Sequence, residues 1–462
     1  MKWLAITAIT VFSCGSVLAQ TSGGINLDLP DIRVPGVYDI AGSGARARGM
    51  GNAFLAAGDD ITALTWNPAG IYAIDKPMMT FGISRFVPRG TASLFVFENK
   101  QTGAFSGPGL FSFASPFRIK GHGFVGGISY SRSTDEADNV AAGTAFYIDP
   151  DGPASIFNPT LYTISIDEAF HADLTPVTFG FGTRVSEKVS VGASLTVMTG
   201  KSVNVSLQHD FADSFFFAEY GAQKVSYDFT GSIIDSSKFS GVSFLLGFKY
   251  SGTQFSIGAI AKLPYSLRQT TNRTASAVTT VNGLIRSNGT GTVFIDDNIT
   301  KIQMPMIFGV GGALKPNAKT TFAVDVEYRP FSGKQIMIRD SVRLVPGAKD
   351  EEFYRTIDPK WRNVLVIRAG GEYLWTTNSQ VFPVVPLRAG FGILPVPRPN
   401  LDIDGNPSGT PTGINLSVGT GVHWSQILMD IAYAYGKRTE TYGDSNFKSR
   451  THQFQMTFTG YF

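Results

Sequence analysis

Leu416-Ser417-Val418-Gly419-Thr420-Gly421-Val422-His423-Trp424 places Leu416, Val418, Thr420, Val422 and Trp424 on one face and Ser417, Gly419, Gly421 and His423 on the other. Strict alternation of this length marks a half-buried strand, because successive side chains of an extended backbone point to opposite faces. The same period recurs upstream. Phe322, Val324, Val326 and Tyr328 alternate with Ala323, Asp325, Glu327 and Arg329. Val189, Val191, Ala193, Leu195 and Val197 alternate with Ser190, Gly192, Ser194 and Thr196. A soluble sandwich alternates as well, so the length and order of such segments carry the decision.

Segments 77–88, 107–118, 122–133, 175–185, 189–205, 239–250, 255–265, 304–314, 320–331, 362–375, 381–395, 413–424, 427–440 and 451–462 read as fourteen strands. Each meets or slightly exceeds the roughly 9–11 residues that cross a bilayer obliquely. The connections alternate between short turns, such as Ser186-Glu187-Lys188 and Ser425-Gln426, and long loops at 134–174, 206–238, 266–303, 332–361 and 396–412. Segment 225–234 also alternates and reads as a loop hairpin or an extra strand pair. No apolar run of about 18 residues follows residue 19, so no membrane helix is expected. Together these features predict an all-β fold: a 14-stranded antiparallel transmembrane β-barrel over 77–462, with both termini periplasmic. Only a closed barrel satisfies every backbone group in lipid, so the last strand is expected to pair with the first. In that last strand Phe454, Met456, Phe458, Gly460 and Phe462 alternate with polar residues and Tyr461. The terminal aromatic resembles the recognition signature of bacterial outer-membrane barrels, so the barrel-assembly machinery is an expected partner through the Phe462 strand.

Composition agrees. The 462 residues are 16 % charged, with 51 glycines, 36 phenylalanines and a mean hydropathy of +0.05. Ordinary globular chains carry about 25 % charged residues and about 7 % glycine. Disorder needs low hydrophobicity and high charge, and membrane-helix bundles need far higher hydropathy. A net charge of +3 is too small to imply a nucleic-acid partner. Met1-Lys2-Trp3, the apolar run Leu4 to Phe12 and Val17-Leu18-Ala19 read as a secretory signal peptide over 1–19. The only cysteine, Cys14, falls inside it, so the exported chain is expected to lack disulfides. The surroundings of Cys14 fit a lipoprotein cleavage box poorly.

Residues 20–76 lack alternation. A small, basic stretch at 42–51 precedes Asp59-Asp60, and Asp60 is expected to cap a short helix running through Trp66, which Asn67-Pro68-Ala69-Gly70 ends. Phe54, Leu55, Leu64, Trp66 and Ile71 favour a buried plug in the lumen over a flexible periplasmic extension.

The motif carried by Gly44, Arg46, Arg48, Gly49, Gly51, Asp59, Asp60, Asn67, Pro68, Ala69 and Gly70 resembles the hatch of the FadL/TodX family of outer-membrane long-chain fatty acid and hydrocarbon transporters. Lys262-Leu263-Pro264-Tyr265, Lys301-Ile302-Gln303-Met304-Pro305, Val324-Asp325-Val326-Glu327-Tyr328, Arg388-Ala389-Gly390-Phe391 and Leu394-Pro395-Val396-Pro397 extend the resemblance through the barrel. It implies passive uptake of a hydrophobic molecule from an external groove to a lumen pocket, then sideways exit at an inward kink of the third strand. Outer-membrane lipid is thus an implied partner, and the chain is expected to act as a monomer.

The candidate site residues follow from where apolar and charged groups fall. Phe157, Leu161 and Phe170 in one expected loop, and Phe211, Phe215, Phe216 and Phe217 in the next, would form a capture groove or pack a lid. By alternation Lys249, Lys262, Arg329, Arg368 and Arg388 face the lumen, where a cation in a partly dry site holds a carboxylate. Asp325, Glu327, Glu372 and Asp430 face inward too, so mutual pairing is the competing reading. Gly121, Gly123, Gly126 and Gly127 would permit a kink of the third strand, or simply line a crowded interior. No nucleophile elbow, phosphate loop or metal-ligand pair is found, the five histidines are scattered, and no cofactor is expected. Asp402 to Asn406 resembles the start of a calcium loop but reads as an ordinary turn. Long-chain fatty acid uptake is the first expectation, and a monoaromatic or alkane channel is the second. From another class comes a non-transport barrel that serves as secretion shuttle or surface scaffold. A general diffusion porin is weaker, because it would lack residues 20–76 as a plug.

Overall fold

The computed structural model describes residues 42–94, 97–102, 104–146, 162–216, 224–281, 284–289, 295–342, 351–402, 406–442 and 445–462. The leader read over 1–19 lies outside them. Fourteen strands form the wall: β1 (Met78–Leu94), β2 (Phe105–Ile119), β3 (His122–Ser131), β4 (Tyr162–Ser186), β5 (Val189–Phe216), β6 (Lys224–Ser251), β7 (Phe255–Lys262), β8 (Ile307–Asn317), β9 (Thr320–Arg329), β10 (Val364–Thr376), β11 (Val384–Pro395), β12 (Thr412–His423), β13 (Ile427–Tyr442) and β14 (Ser445–Tyr461). Consecutive strands pair antiparallel, and β1 closes on β14 from Met78 opposite Tyr461 to Ser93 opposite Asn446. The result is a closed 14-stranded antiparallel barrel. Its outer face presents Phe81, Phe113, Phe181, Phe248, Phe322 and Leu416, all exposed, while Thr80, Ser112, Ser129, Thr178 and Ser243 are buried on the inner face. In lipid this apolar-out, polar-in arrangement inverts the usual rule for water-facing sheets.

The expected long loops are corrected. Much of 134–174, 206–238, 266–303 and 332–361 is strand: Ser133–Phe146 pairs with β4, β5 and β6 run 28 residues each, and Tyr265–Val281 pairs with Ile295–Met304. Ile336–Val342 pairs with Glu351–Ile357. Segment 225–234 is part of β6, not an extra pair. The reason lies on the outer face. On β6 it runs Phe248, Leu246, Phe244 and Val242, then turns polar at Ser240 and Lys238, all exposed. The strand continues where its apolar stripe stops, so a reading keyed to that stripe ends too early.

Residues 42–76 sit inside the barrel, at the short-turn end. They fold as α1 (Ala45–Gly49), α2 (Ala63–Trp66) and a 3-10 turn at Pro68–Ala73, with Phe54, Leu55, Leu64, Trp66 and Ile71 buried. They approach so closely because the wall offers glycine there. A side chain at Gly370, Gly390 or Gly419 would overlap Met50, Gly51 or Gly49, and one at Gly182, Gly192 or Gly247 would overlap the Asn67–Ala69 stretch or Ile71. The expected cap is also corrected. Asp60 accepts from the Thr62 amide, a turn that precedes the helix, and Thr62 occupies the N-cap position of α2. Asn67 then accepts from the Ala69 amide and opens the 3-10 turn.

One stretch of wall is broken. Pairing of β7 with β8 ends at Lys262 opposite Ile307 and resumes at Tyr265 opposite Met304, skipping Leu263-Pro264 and Pro305-Met306. On β7 the buried face passes from even residues (Ser256, Gly258) to odd (Leu267) across this point. The neighbouring ladders lapse at the same level, between Arg329 and Ile336 and between Ile357 and Val364. Each unpaired stretch contains a proline (Pro264, Pro305, Pro330 and Pro359), and proline contributes no amide hydrogen to a ladder.

Candidate functional site

The lumen has two layers. The lower one, at the level of residues 42–76, is ionic. Arg46 on α1 pairs with Asp59 and Asp60 of its own segment and donates from Nε and Nη2 to Glu372 of β10 at 3.1 and 3.0 Å. Glu372 also accepts from Arg388 of β11 at 2.6 Å, Arg388 reaches Asp430 of β13 at 2.7 Å, and Asp430 meets His423 at 2.8 Å. A second group lies on β9 and β10. Glu327 accepts from Arg329 at 2.8 Å and pairs with Arg368, whose guanidinium lies 5.7 Å over the Trp66 ring. Asp325 accepts the Phe54 and Leu55 amides at 2.6 and 2.9 Å. These are charge-assisted bonds among buried and half-buried groups, where leaving a buried partner alone is costly.

Burial pushes the Asp59 carboxyl up, but the adjacent Arg46, with Lys315 and Lys249 nearby, outweighs it and holds Asp59 well below the usual carboxylate range. For Asp60 burial wins over Arg46 and the Thr62 hydrogen bonds, and its carboxyl lies above that range.

The upper layer is apolar. Leu174, Met198, Phe239, Leu267, Ile302, Met304, Phe331, Ile336, Ile338, Trp361 and Val364 form one buried cluster, and Tyr265 packs against it. It fills the lumen side of the broken wall. Phe331 and Trp361 meet edge to face with ring centres 5.5 Å apart. Alternation alone does not find this cluster, because the wall changes phase at the breaks and several members fall in stretches expected to be loops.

The five candidate cations all lie on inner-facing strand positions, with different occupations. Lys249 donates to the Gly58 carbonyl at 2.5 Å, and Arg329, Arg368 and Arg388 are bound to carboxylates. Lys262 makes neither an ion pair nor a hydrogen bond among the described residues. Its ammonium stands 5.2 Å over the Tyr265 ring, at the foot of the apolar cluster.

The remaining hatch-motif residues are placed as follows. Arg48 donates to Gln455 at 3.0 Å and to Gln453, the Gly51 amide donates to Ser417 at 2.9 Å, and Asn67 donates to the Leu55 and Phe248 carbonyls. Gly44 and Gly51 adopt positive φ of 110° and 67°. Pro68, Ala69 and Gly70 form the 3-10 turn.

Of the groove candidates, Phe157, Leu161 and Phe217 lie outside the described residues, while Phe170 belongs to β4 and Phe211, Phe215 and Phe216 to β5 rather than to loops. The kink expectation is corrected. Gly121 sits with φ 84° in the tight turn between β2 and β3, and Gly123, Gly126 and Gly127 lie in β3, which pairs on both sides without a register shift. Gly127 instead makes room for Leu64. Asp402 accepts from the Asn406 amide at 2.7 Å, as in an ordinary turn.

No curated protein matches the sequence. Solved structures share the fold at low identity. The toluene transporter TodX of P. putida is 15% identical with a TM-score of 0.63, covering 92% of this chain and 99% of that one. The toluene transporter TbuX of Ralstonia pickettii is 15% identical with a TM-score of 0.58, covering 92% and 100%. A Pseudomonas aeruginosa FadL homologue is 14% identical with a TM-score of 0.54, covering 91% and 98%. The family model for outer membrane protein transport proteins (OMPP1/FadL/TodX) matches residues 37–460, and with that match spanning both the inserted N-terminal segment and the whole barrel, the chain belongs to this family of outer-membrane transporters.

Proposed function

We propose that this protein carries hydrophobic compounds passively across the bacterial outer membrane, with long-chain fatty acids as its substrates. Both termini then lie in the periplasm and residues 42–76 act as a plug. The observation that carries the reading is the apolar cluster above the plug with Lys262 at its foot. An alkyl chain dissolves in such a cluster, while the carboxylate finds a cation not committed elsewhere. A water-filled pore offers neither. The lateral step is placed at the broken wall beside Pro264 and Pro305 rather than at β3. There the ladder already lacks hydrogen bonds, so parting the wall sacrifices few.

A neutral hydrocarbon is the second reading. Four of the five lumen cations are already bound, and the solved TodX and TbuX structures are those of toluene transporters.

Lys262→Met separates the two. Losing one charge-assisted hydrogen bond, roughly 1.5–3 kcal/mol, weakens fatty-acid binding at least about tenfold and leaves toluene uptake unchanged. Equal fatty-acid affinity in the variant would reject the fatty-acid assignment. Native mass spectrometry of the purified protein adds the direct check, since co-purified fatty acid supports the first reading. Rapid sugar leakage through reconstituted protein would contradict both.

A further inference from the structure

We propose that a second, aqueous path runs past the N-terminal segment along the inner face of β14, gated by Arg48, and that it passes small hydrophilic cations. It does not depend on which hydrophobic compound the apolar cluster takes. The N-terminal segment is pressed onto the wall on two sides, against Gly370, Gly390 and Gly419 of β10–β12 and against Gly182, Gly192 and Gly247 of β4–β6. Toward β14 and β1 the packing changes, although α1 itself stays against β13. A cavity of about 180 Å³ separates the segment from the wall. Tyr461 and Leu428 flank the mouth at the short-turn end, and Thr62, Thr80, Thr457 and Thr459 line the interior. Met78, Leu374 and Leu428 share the lining, but the hydroxyls and charges give a hydrated solute a polar track along it.

The next inner-facing residues along β14 are Gln455 and Gln453, and Arg48 of α1 donates to both. Arg48 therefore spans the gap between segment and wall at the point where the cavity would join the lumen above. The charge of the lining selects the solute. Asp59, Asp60, Glu372 and Asp430 face the cavity with Arg46 and His423, and Arg388 stands behind Glu372 and Asp430. Four carboxylates and one guanidinium face the cavity itself, with Arg388, Lys249 and Lys315 outside its lining, so a cation is favoured over an anion.

The test uses the full-length protein carrying Cys14→Ser and Thr459→Cys, reconstituted in planar bilayers in potassium chloride. Arg48→Ala is expected to raise the conductance several-fold with preference for potassium over chloride. A methanethiosulfonate added from the short-turn side should then block it, a cationic reagent reacting faster than an anionic one. Gln453→Ala with Gln455→Ala removes the other half of the gate and should give the same rise if Arg48→Ala fails to fold. Heat-modifiable migration on gels shows which variants are folded. Unchanged conductance in a folded gate variant overturns the proposal. So does a rise that the reagent at residue 459 does not block, or one that favours chloride.

Discussion

Asp59 and Asp60 are neighbours bound to one arginine, yet their burial and partners set them apart. A carboxyl held below its usual range stabilises the fold above the ordinary carboxylate pKa of about 4 and loses that contribution as pH falls through its lowered value. Asp59 is in this class. A carboxyl raised above its usual range contributes below the ordinary value and loses that contribution as pH rises through the raised one, and Asp60 is in this class. Asp59→Asn is therefore expected to destabilise the detergent-solubilised protein at pH 7 by about 1.5–3 kcal/mol, the worth of a hydrogen bond to a charged group. Asp60→Asn should stay within about 0.5 kcal/mol of the parent or gain. Thermal unfolding at pH 7 reads both, and repeating it well below pH 4 should narrow the difference, since the parent then begins to lose what Asp59 contributes. An Asp60→Asn loss equal to that of Asp59→Asn at pH 7 would refute the assignment. Which residues face inward was legible from alternation. Which cation meets which carboxylate was not, because pairing across strands depends on register: Glu372 lies opposite Arg388 only once β10 and β11 are aligned.

At the scale of elements, the wall glycines tell seat from surface. A side chain at Gly390 would overlap the Met50–Gly51 backbone, whereas one at Gly312 meets nothing within 4 Å. Gly390→Val is expected to unseat α1, destabilising by about 1–3 kcal/mol as overpacked sites do and raising protease cleavage of the N-terminal segment several-fold. Gly312→Ala is the control and should change neither. Trp361→Ala removes the edge-to-face partner of Phe331 at the broken wall. If the lateral step lies there, hydrophobic uptake into liposomes quickens. Slower uptake would place the passage elsewhere. The strand count and barrel closure were readable because each membrane-spanning stretch repeats one apolar stripe. Strand length and the breaks were not readable. Beyond the membrane-spanning stretch the outer stripe is interrupted by polar residues such as Ser240 and Lys238, and such a hairpin looks like loop. At Pro264 and Pro305 an apolar residue changes face without leaving the sequence pattern.

For the whole molecule, the question is what the barrel keeps without its filling. Every strand finds two neighbours through the ladder, and β1 pairs with β14 over Met78 to Ser93, so closure does not require residues 42–76. Their removal nevertheless strips Asp325 of two amide donors and Glu372 of Arg46. Cross-strand partners remain for Glu372 through Arg388, while Asp325 is left in a lumen that water now enters. Water resolvates such groups, so the cost is far below that of a charge stranded in a dry interior. Deletion of residues 42–76 is thus expected to leave a barrel that still migrates in a heat-modifiable, folded form, with a lower Tm. In planar bilayers it should conduct as a wide pore without solute selectivity, many times above the parent. Loss of the folded form would show that the ionic layer, rather than the ladder, holds the wall closed, and a folded but non-conducting barrel would mean that the apolar cluster seals the lumen unaided.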